Sequence, residues 1–349
     1  GLSNDFVFSI FEDREGSLWI GTFTGGLNRL RSAKVTAYTT REGLSSDFAY
    51  SVFEDREGSL WVGTYGGGLN RIKDGKVVSH TTAPDVARRS VRAIWEDRRG
   101  HLWIGTDGGG MIRVKGGAPA TLTTKQGLSH DTVLSIHGGP DGSLWIGTEG
   151  GGLNRLKDGK LTVYSTRDGL SSGVVRALYA DGDGNLWIGT DGGGLNRFRG
   201  GKFTAFTQKD GLSNDIIVTI HDDGEGSLWL GTYGGGLNRF RNGTFTAYTS
   251  KQGLFSDVVY QILDDGNDFW MSSNKGVFRV SKRELDDFDR GAISSIASRV
   301  YGTADGMKSA ECNDGSPGGW RTRDGRLWFA TAKGIVSIDP KAPDNALPP

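Results

Sequence analysis

Residues 48–54, Phe-Ala-Tyr-Ser-Val-Phe-Glu, alternate apolar and small or polar side chains and are rich in strand formers. Asp55-Arg56-Glu57-Gly58 follows, with Asp first and Gly last, the preference of a type I turn. Leu60–Thr64 is a second short apolar run, Gly66-Gly67-Gly68 breaks it, and Leu69–Ile72 is a third. Asp74-Gly75 is a two-residue hairpin signal before a fourth run, Lys76–Thr81. The pattern predicts four short antiparallel strands, A to D, with no helix among them. The same unit recurs along the chain, marked by Trp19, Trp61, Trp103, Trp145, Trp187, Trp229, Trp270 and Trp328. The spacings are 42, 42, 42, 42, 42, 41 and 58 residues; Trp95 and Trp320 stand outside this register.

Repeats of 40–45 residues with four strands and a fixed Trp are the pattern of propeller blades. The expected fold is all-β: a single β-propeller of eight four-stranded blades, with a seven-bladed ring as the alternative. The eighth unit looks incomplete. Trp320–Arg323, Leu327–Thr331 and Ile335–Ile338 read as its strands A to C, and the prolines from Pro340 onward cannot sustain a fourth. The last blade is therefore expected to be three-stranded, without a ring-closing exchange of strands. Residues 1–340 form the propeller and 341–349 a Pro-rich linker toward a further module. The long last interval carries 12 extra residues in the C–D connection and 4 in the D–A loop. Ser281-Lys282-Arg283-Glu284 reads as a capping box opening the only helix.

Composition narrows the function. Gly is abundant, at 57 of 349 residues, but 10 Trp and 10% aromatics supply enough apolar surface for a core. Acidic and basic residues balance at 41 each, so no net field favours nucleic acid. No apolar run is long enough to contact a membrane by spanning it. The single Cys312 has no disulfide partner. The chain begins within the repeat pattern and is expected to be a piece of a longer protein. His80, His101, His130, His137 and His221 show no metal-ligand spacing. No nucleophile elbow or nucleotide loop is present, and the Gly-Gly-Gly turns join strands rather than open helices. The Asp-containing boxes of sialidases are absent, and the His/Glu site of short-bladed propeller lyases cannot be assembled. No enzyme activity, cofactor or metal is expected; a lyase or hydrolase is the weakest alternative.

The string Asp55-Arg56-Glu57-Gly58-Ser59-Leu60-Trp61-Val62-Gly63-Thr64, then Gly67-Gly68-Leu69-Asn70-Arg71, resembles the two-component regulator propeller repeat. The first six repeats resemble it closely. That family forms the extracytoplasmic sensor region of bacterial hybrid histidine kinases. The resemblance implies a periplasmic or extracytoplasmic sensor for an oligosaccharide or other small molecule, with homodimerisation through the parent protein. A protein-interaction or dimerisation scaffold is the alternative. Family rings have seven blades, so the eighth motif either enlarges the ring or belongs to a neighbouring propeller.

In propellers the B–C and D–A loops share one face. There the repeats agree except at the residue after Gly-Thr: Phe23, Tyr65, Asp107, Glu149, Asp191, Tyr233, Ser273 and Ala332. Tyr65 and Tyr233 suit stacking on sugar faces, and Asp107, Glu149 and Asp191 suit hydroxyl binding. Strand A varies at Phe8, Tyr50, Arg92, Leu134, Arg176, Val218 and Tyr260. Arg92 and Arg176 either clamp an anionic ligand or pair with Asp107 and Asp191. The D–A loop from Met307 to Gly319 adds Glu311 and Asn313, and either lines a site or plugs the last blade. The ligand-binding candidates are thus Tyr65, Asp107, Glu149, Asp191, Tyr233, Arg92, Arg176, Glu311 and Asn313. The Arg of Asn-Arg and the Asp opening each A–B turn recur in nearly every repeat, which marks them as architecture.

Overall fold

A computed structural model describes residues 2–12, 18–30, 34–80, 86–115 and 120–343. Among them are eight antiparallel sheets, one per Trp motif. β1 (Val7–Glu12), β2 (Leu18–Thr22) and β3 (Gly26–Leu30) form the first. β4 (Val35–Tyr38) leaves it. β5 (Ala49–Glu54), β6 (Leu60–Thr64), β7 (Gly68–Lys73) and β8 (Lys76–His80) form blade 1 of the ring. The innermost strands of blades 2 to 6 are Val91–Glu96, Val133–Gly138, Val175–Ala180, Ile217–Asp222 and Gln261–Asp264. Blade 7 joins Gly319–Arg321, Leu327–Thr331 and Gly334–Ile338 to β4, with Ala37 opposite Val336 and Val35 opposite Ile338.

The ring closes through seven blades, because seven apolar clusters each join one blade to the next. The closing cluster sets Trp328, Ala330 and Ile335 of blade 7 against Leu44, Ala49, Val52 and Leu60. Tyr38 of β4 meets Trp328 at 5.3 Å between ring centroids. That contact fills the slot an eighth blade would need. The all-β propeller and its eight repeats are as the sequence predicts, and the ring count is the seven-bladed alternative. Two details are corrected. The last blade has four strands, and the three-stranded sheet is the first. The expectation assumed that each repeat keeps its own fourth strand, whereas β4 covers the otherwise unpaired edge of Gly334–Ile338 and ties the chain's two ends together.

The sheet β1–β3 is left without its fourth strand, and β1 is exposed along its length. Phe6, Phe8, Ile10 and Phe11 are 74%, 73%, 64% and 66% exposed, unlike the buried equivalents in the ring.

Blades 1, 2, 4 and 5 share one polar lock. The indole Nε1 of Trp61, Trp103, Trp187 and Trp229 donates to Asp55, Asp97, Asp181 and Asp223 at 2.9–3.0 Å. Burial alone would raise these carboxyls, but the indole and turn amides hold all four below their ordinary range. The recurring Arg lies over the same Trp, as with Arg71 on Trp61 at 5.6 Å. These residues are architecture, as expected; Asp13 lies outside the described residues. The linker at 341–349 is described only to residue 343.

The helix appears as α1 (Lys282–Asp289), but the Ser281 side chain makes no capping bond. Glu284 instead accepts from the Ala297 amide at 3.1 Å. It is the only α-helix among the described residues, but not the only helical turn. Short 3₁₀ turns open the D–A loops, as at Thr40–Glu42, where Thr39 and Glu42 cap each other reciprocally. Gly43 ends this one at φ 106°, a left-handed conformation that favours glycine.

A candidate binding mouth and the opposite rim

The residue after each Gly-Thr is held by its backbone while its side chain varies. Its amide donates to the D–A loop of the same blade: Tyr65 to Phe48 O, Asp107 to Ser90 O, Glu149 to Thr132 O, Asp191 to Val174 O and Tyr233 to Ile216 O, all at 2.8–3.1 Å. The repeated frame therefore presents a different side chain from each blade at a fixed place. Tyr65 and Tyr233 are 58% and 51% exposed, and Glu149 is also exposed.

The loop from Met307 to Gly319 crosses this mouth. It is anchored on four blades. The Cys312 amide donates to Ser273 O, and Asn313 N to Ala330 O. Ser316 N donates to Arg92 O while Ile94 N donates back to Ser316 O, and Val52 N donates to Pro317 O. At Gly315 a Cβ would lie 2.0 Å from Tyr50 O, so only glycine lets the loop come so close to β5. Cys312 is fully buried beneath the loop, and burial pushes its thiol up to about 12.

The side chains converge on this loop. Arg92 Nε donates to Asp107 at 2.6 Å, and its guanidinium lies 4.4 Å over the Tyr50 ring. Tyr50 in turn meets Phe48 and Tyr65 edge-on at 5.2 and 6.2 Å. Arg176 donates to Asp191 at 2.6 Å and to Asp314 of the loop at 3.0 Å. Tyr233 and Tyr260 meet at 6.0 Å. Leu134 and Val218 are buried between these charged and aromatic arcs. The mouth thus carries aromatic groups on blades 1, 5 and 6 and ion pairs on blades 2 and 4.

Of the sequence-predicted residues, Arg92 and Arg176 take the pairing alternative, each bound to the Asp of its own blade. Tyr65, Glu149, Tyr233 and Glu311 stand open to solvent. Asn313 does not: it is 7% exposed and its amide donates to Ala49 O at 2.5 Å. It anchors the loop, because a loop that crosses a channel must satisfy its buried polar groups on the strands it meets. Asp314, one of the polar residues that the sequence places in this loop, was not among the ligand-binding candidates, for lack of any repeat against which a loop residue can be compared.

The opposite rim, at the A–B turns, carries a feature missed in the sequence. Phe53, Trp95, His137, Tyr179, His221 and Trp320 each lie eight residues before a motif Trp. Their rings follow one another around the ring: Trp320 to Phe53 at 4.6 Å, Phe53 to Trp95 at 6.1 Å, Trp95 to His137 at 4.5 Å and His137 to Tyr179 at 5.8 Å. Trp95 and Trp320, the two off-register tryptophans, were the signal. Burial holds the His137 imidazole down to about 4. The unfolded chain therefore takes up a proton near pH ~6.5 that the folded chain refuses until about 4. The melting midpoint should fall as pH drops through that window, and fall less in His137→Phe. Equal falls in the two proteins would remove His137 as the cause. The Asp carboxyls held low act in the same direction but at more acidic pH, below ~4.

The architecture is thus a seven-bladed β-propeller whose mouth is crossed by a loop and carries side chains that vary from blade to blade. The family model of the two component regulator propeller matches five of its repeats, at residues 1–24, 43–66, 127–150, 169–192 and 211–234. The matches cover five of the first six repeats and leave out the one carrying Trp103. An extracellular domain assigned to a hybrid two component system of B. thetaiotaomicron aligns with a TM-score of 0.82 at 26% identity, over 98% of this chain and 46% of that one. A second such domain from B. thetaiotaomicron aligns at 0.71 and 19% identity, over 100% and 48%. Virginiamycin B lyase from Staphylococcus aureus aligns at 0.65 and 19%, over 88% and 99%. At 19% the last two share the fold alone. The chain spans about half the length of the two extracellular domains. No curated relative matches it. Among the described residues no helix is long and apolar enough to cross a membrane, and no group of three or more His, Cys, Asp or Glu is placed to hold a metal ion.

Proposed function

We propose that this chain is the ligand-binding part of an extracytoplasmic sensor in a two-component signalling protein. Its ligand, a carbohydrate or other small molecule, sits over the mouth formed by the B–C and D–A loops. The observation that carries the reading is the contrast at that mouth. The frame repeats from blade to blade, while the one outward side chain per blade varies among Tyr, Asp and Glu beside a loop longer than its counterparts in the other repeats. Tyr65 and Tyr233 offer ring faces with a hydroxyl handle, and Glu149 and Glu311 offer acceptors. Arg92 and Arg176, already paired, position Asp107, Asp191 and Asp314 rather than clamp an anion. A glycan and metabolite screen on the chain supplies the ligand. The double change Tyr65→Ala with Glu149→Gln should then weaken titrated binding by about 1–3 kcal/mol with an unchanged melt. Unchanged binding would place the ligand elsewhere and sink this site.

A protein-interaction role is the second reading, and the apolar sheet β1–β3 favours it. Four of its large side chains are more than 60% exposed, the composition of a contact surface. Such a surface would serve homodimerisation or docking of another domain.

A further inference from the structure

We propose a second ligand site on the A–B rim, over Trp95 and His137, which takes a small organic carboxylate carried on a ring with an apolar face. A cavity of about 390 Å³ opens there, lined by Arg56, Trp95, Arg98, His137 and Pro140 among others. It lies on the face opposite the mouth described above.

The repeat breaks at this place and nowhere else among the first six units. Where Asp55, Asp97, Asp181 and Asp223 lock the motif Trp, blade 3 has Gly139, followed by Pro140. Its Trp145 consequently lacks the indole-to-Asp bond made in the neighbouring blades. The residue before it is Gly138, where other blades carry Glu54, Glu96, Ala180 or Asp222. A Cβ at 138 would lie 3.0 Å from Trp95 Nε1 and 3.3 Å from two more indole atoms. Gly138 has no left-handed φ to explain it, so glycine serves there to let blade 3 pack close against the half-buried Trp95 indole, which lines the cavity. An architectural rule given up in one blade, beside a cavity, points to a use for the space.

The chemistry of the cavity is one-sided. Every carboxylate around it is already engaged by the turn of its own or the preceding blade. Glu96 accepts from Arg56 N at 2.8 Å, Asp97 from Trp103 and His101, and Asp181 from Trp187 and Asn185. What is left over is weighted toward donors, since the neutral His137 ring offers one N–H and one acceptor nitrogen. Trp95 Nε1 and the His137 ring nitrogens have no hydrogen-bond partner among the described residues, and the exposed Arg98 guanidinium has no ion pair there. Ring faces with free N–H groups and a cation match a ligand with an apolar face and an anionic acceptor. A uronic acid and an aromatic acid share that chemistry.

The test titrates the whole 349-residue chain with D-galacturonate, benzoate and neutral D-galactose, read by calorimetry and tryptophan fluorescence. One of the two carboxylates should bind, and which one identifies the source. Galactose should bind roughly tenfold more weakly than galacturonate, if the sugar acid is the ligand, or not at all. Arg98→Ala should weaken carboxylate binding by roughly tenfold, the scale of one charge-assisted hydrogen bond, with the melt unchanged. Gly138→Ser, whose side chain would press on the Trp95 indole and displace it, should weaken it as well, while Tyr65→Ala should leave it intact. The proposal is overturned if neither carboxylate binds. It is equally overturned if binding survives both Arg98→Ala and Gly138→Ser, or if Tyr65→Ala abolishes it. The last result would assign the carboxylate to the other mouth.

Discussion

Replacing Trp270 with Ala is expected to destabilise the chain by about 3–5 kcal/mol, the range for emptying a large aromatic site in a packed core. Trp270 is 0% exposed. It stacks on Tyr301 at 5.0 Å between centroids, and Arg279 and Lys34 lie over its ring at 5.4 and 5.5 Å. Its indole donates to Asp265 at 2.7 Å. The site joins blade 6 to blade 7, so neighbours from two sheets would have to collapse to refill it. Trp270→Phe should cost much less, since it keeps most of the packing and loses chiefly one hydrogen bond of about 1 kcal/mol. A thermal melt of Trp270→Ala displaced by less than about a degree would show that the motif Trp is not a keystone between blades.

Two truncations should behave very differently, although they differ by five residues. A chain beginning at residue 34 should melt close to the parent, because the sheet β1–β3 takes no part in the ring and its first strand is exposed. A chain beginning at residue 39 lacks β4. It leaves the edge of Gly334–Ile338 unpaired and removes Val35, which is buried against Tyr301, Val336 and Ile338. The lost strand pairing and burial amount to several kcal/mol, and the midpoint should fall by about 10 °C or more. Equal melts of the two truncated chains would refute closure through β4 and with it the seven-bladed ring.

The candidate site divides in a similar way. The variable position after Gly-Thr was legible because a repeat supplies its own comparison, and Tyr65, Glu149 and Tyr233 do stand open on one face. The pairing of Arg92 with Asp107 and of Arg176 with Asp191 was open in the sequence, since 15 residues separate each pair and either partner can face a ligand. Only the fold decided it, by placing both side chains beside the B–C loop of their own blade. Asp314 and Asn313 look alike in the loop sequence. One reaches across to Arg176 and the other turns into β5, a difference set by the path of the loop over four blades.

By itself the sequence determined the strands, their turns, the Trp spacing and hence the propeller, because these rest on local periodicity and on chemistry repeated every 42 residues. The number of blades was another matter. Every repeat offers the same C edge to a fourth strand, so no local feature tells Val35–Tyr38 to leave β3 for Gly334–Ile338, some 300 residues away. That choice belongs to ring closure, where Trp328 finds its cover in blade 1 and the two ends of the chain are joined. The rim of rings from Trp320 to Tyr179 is likewise a product of closure. Each ring is an ordinary strand residue, and only the circular arrangement of blades sets them side by side.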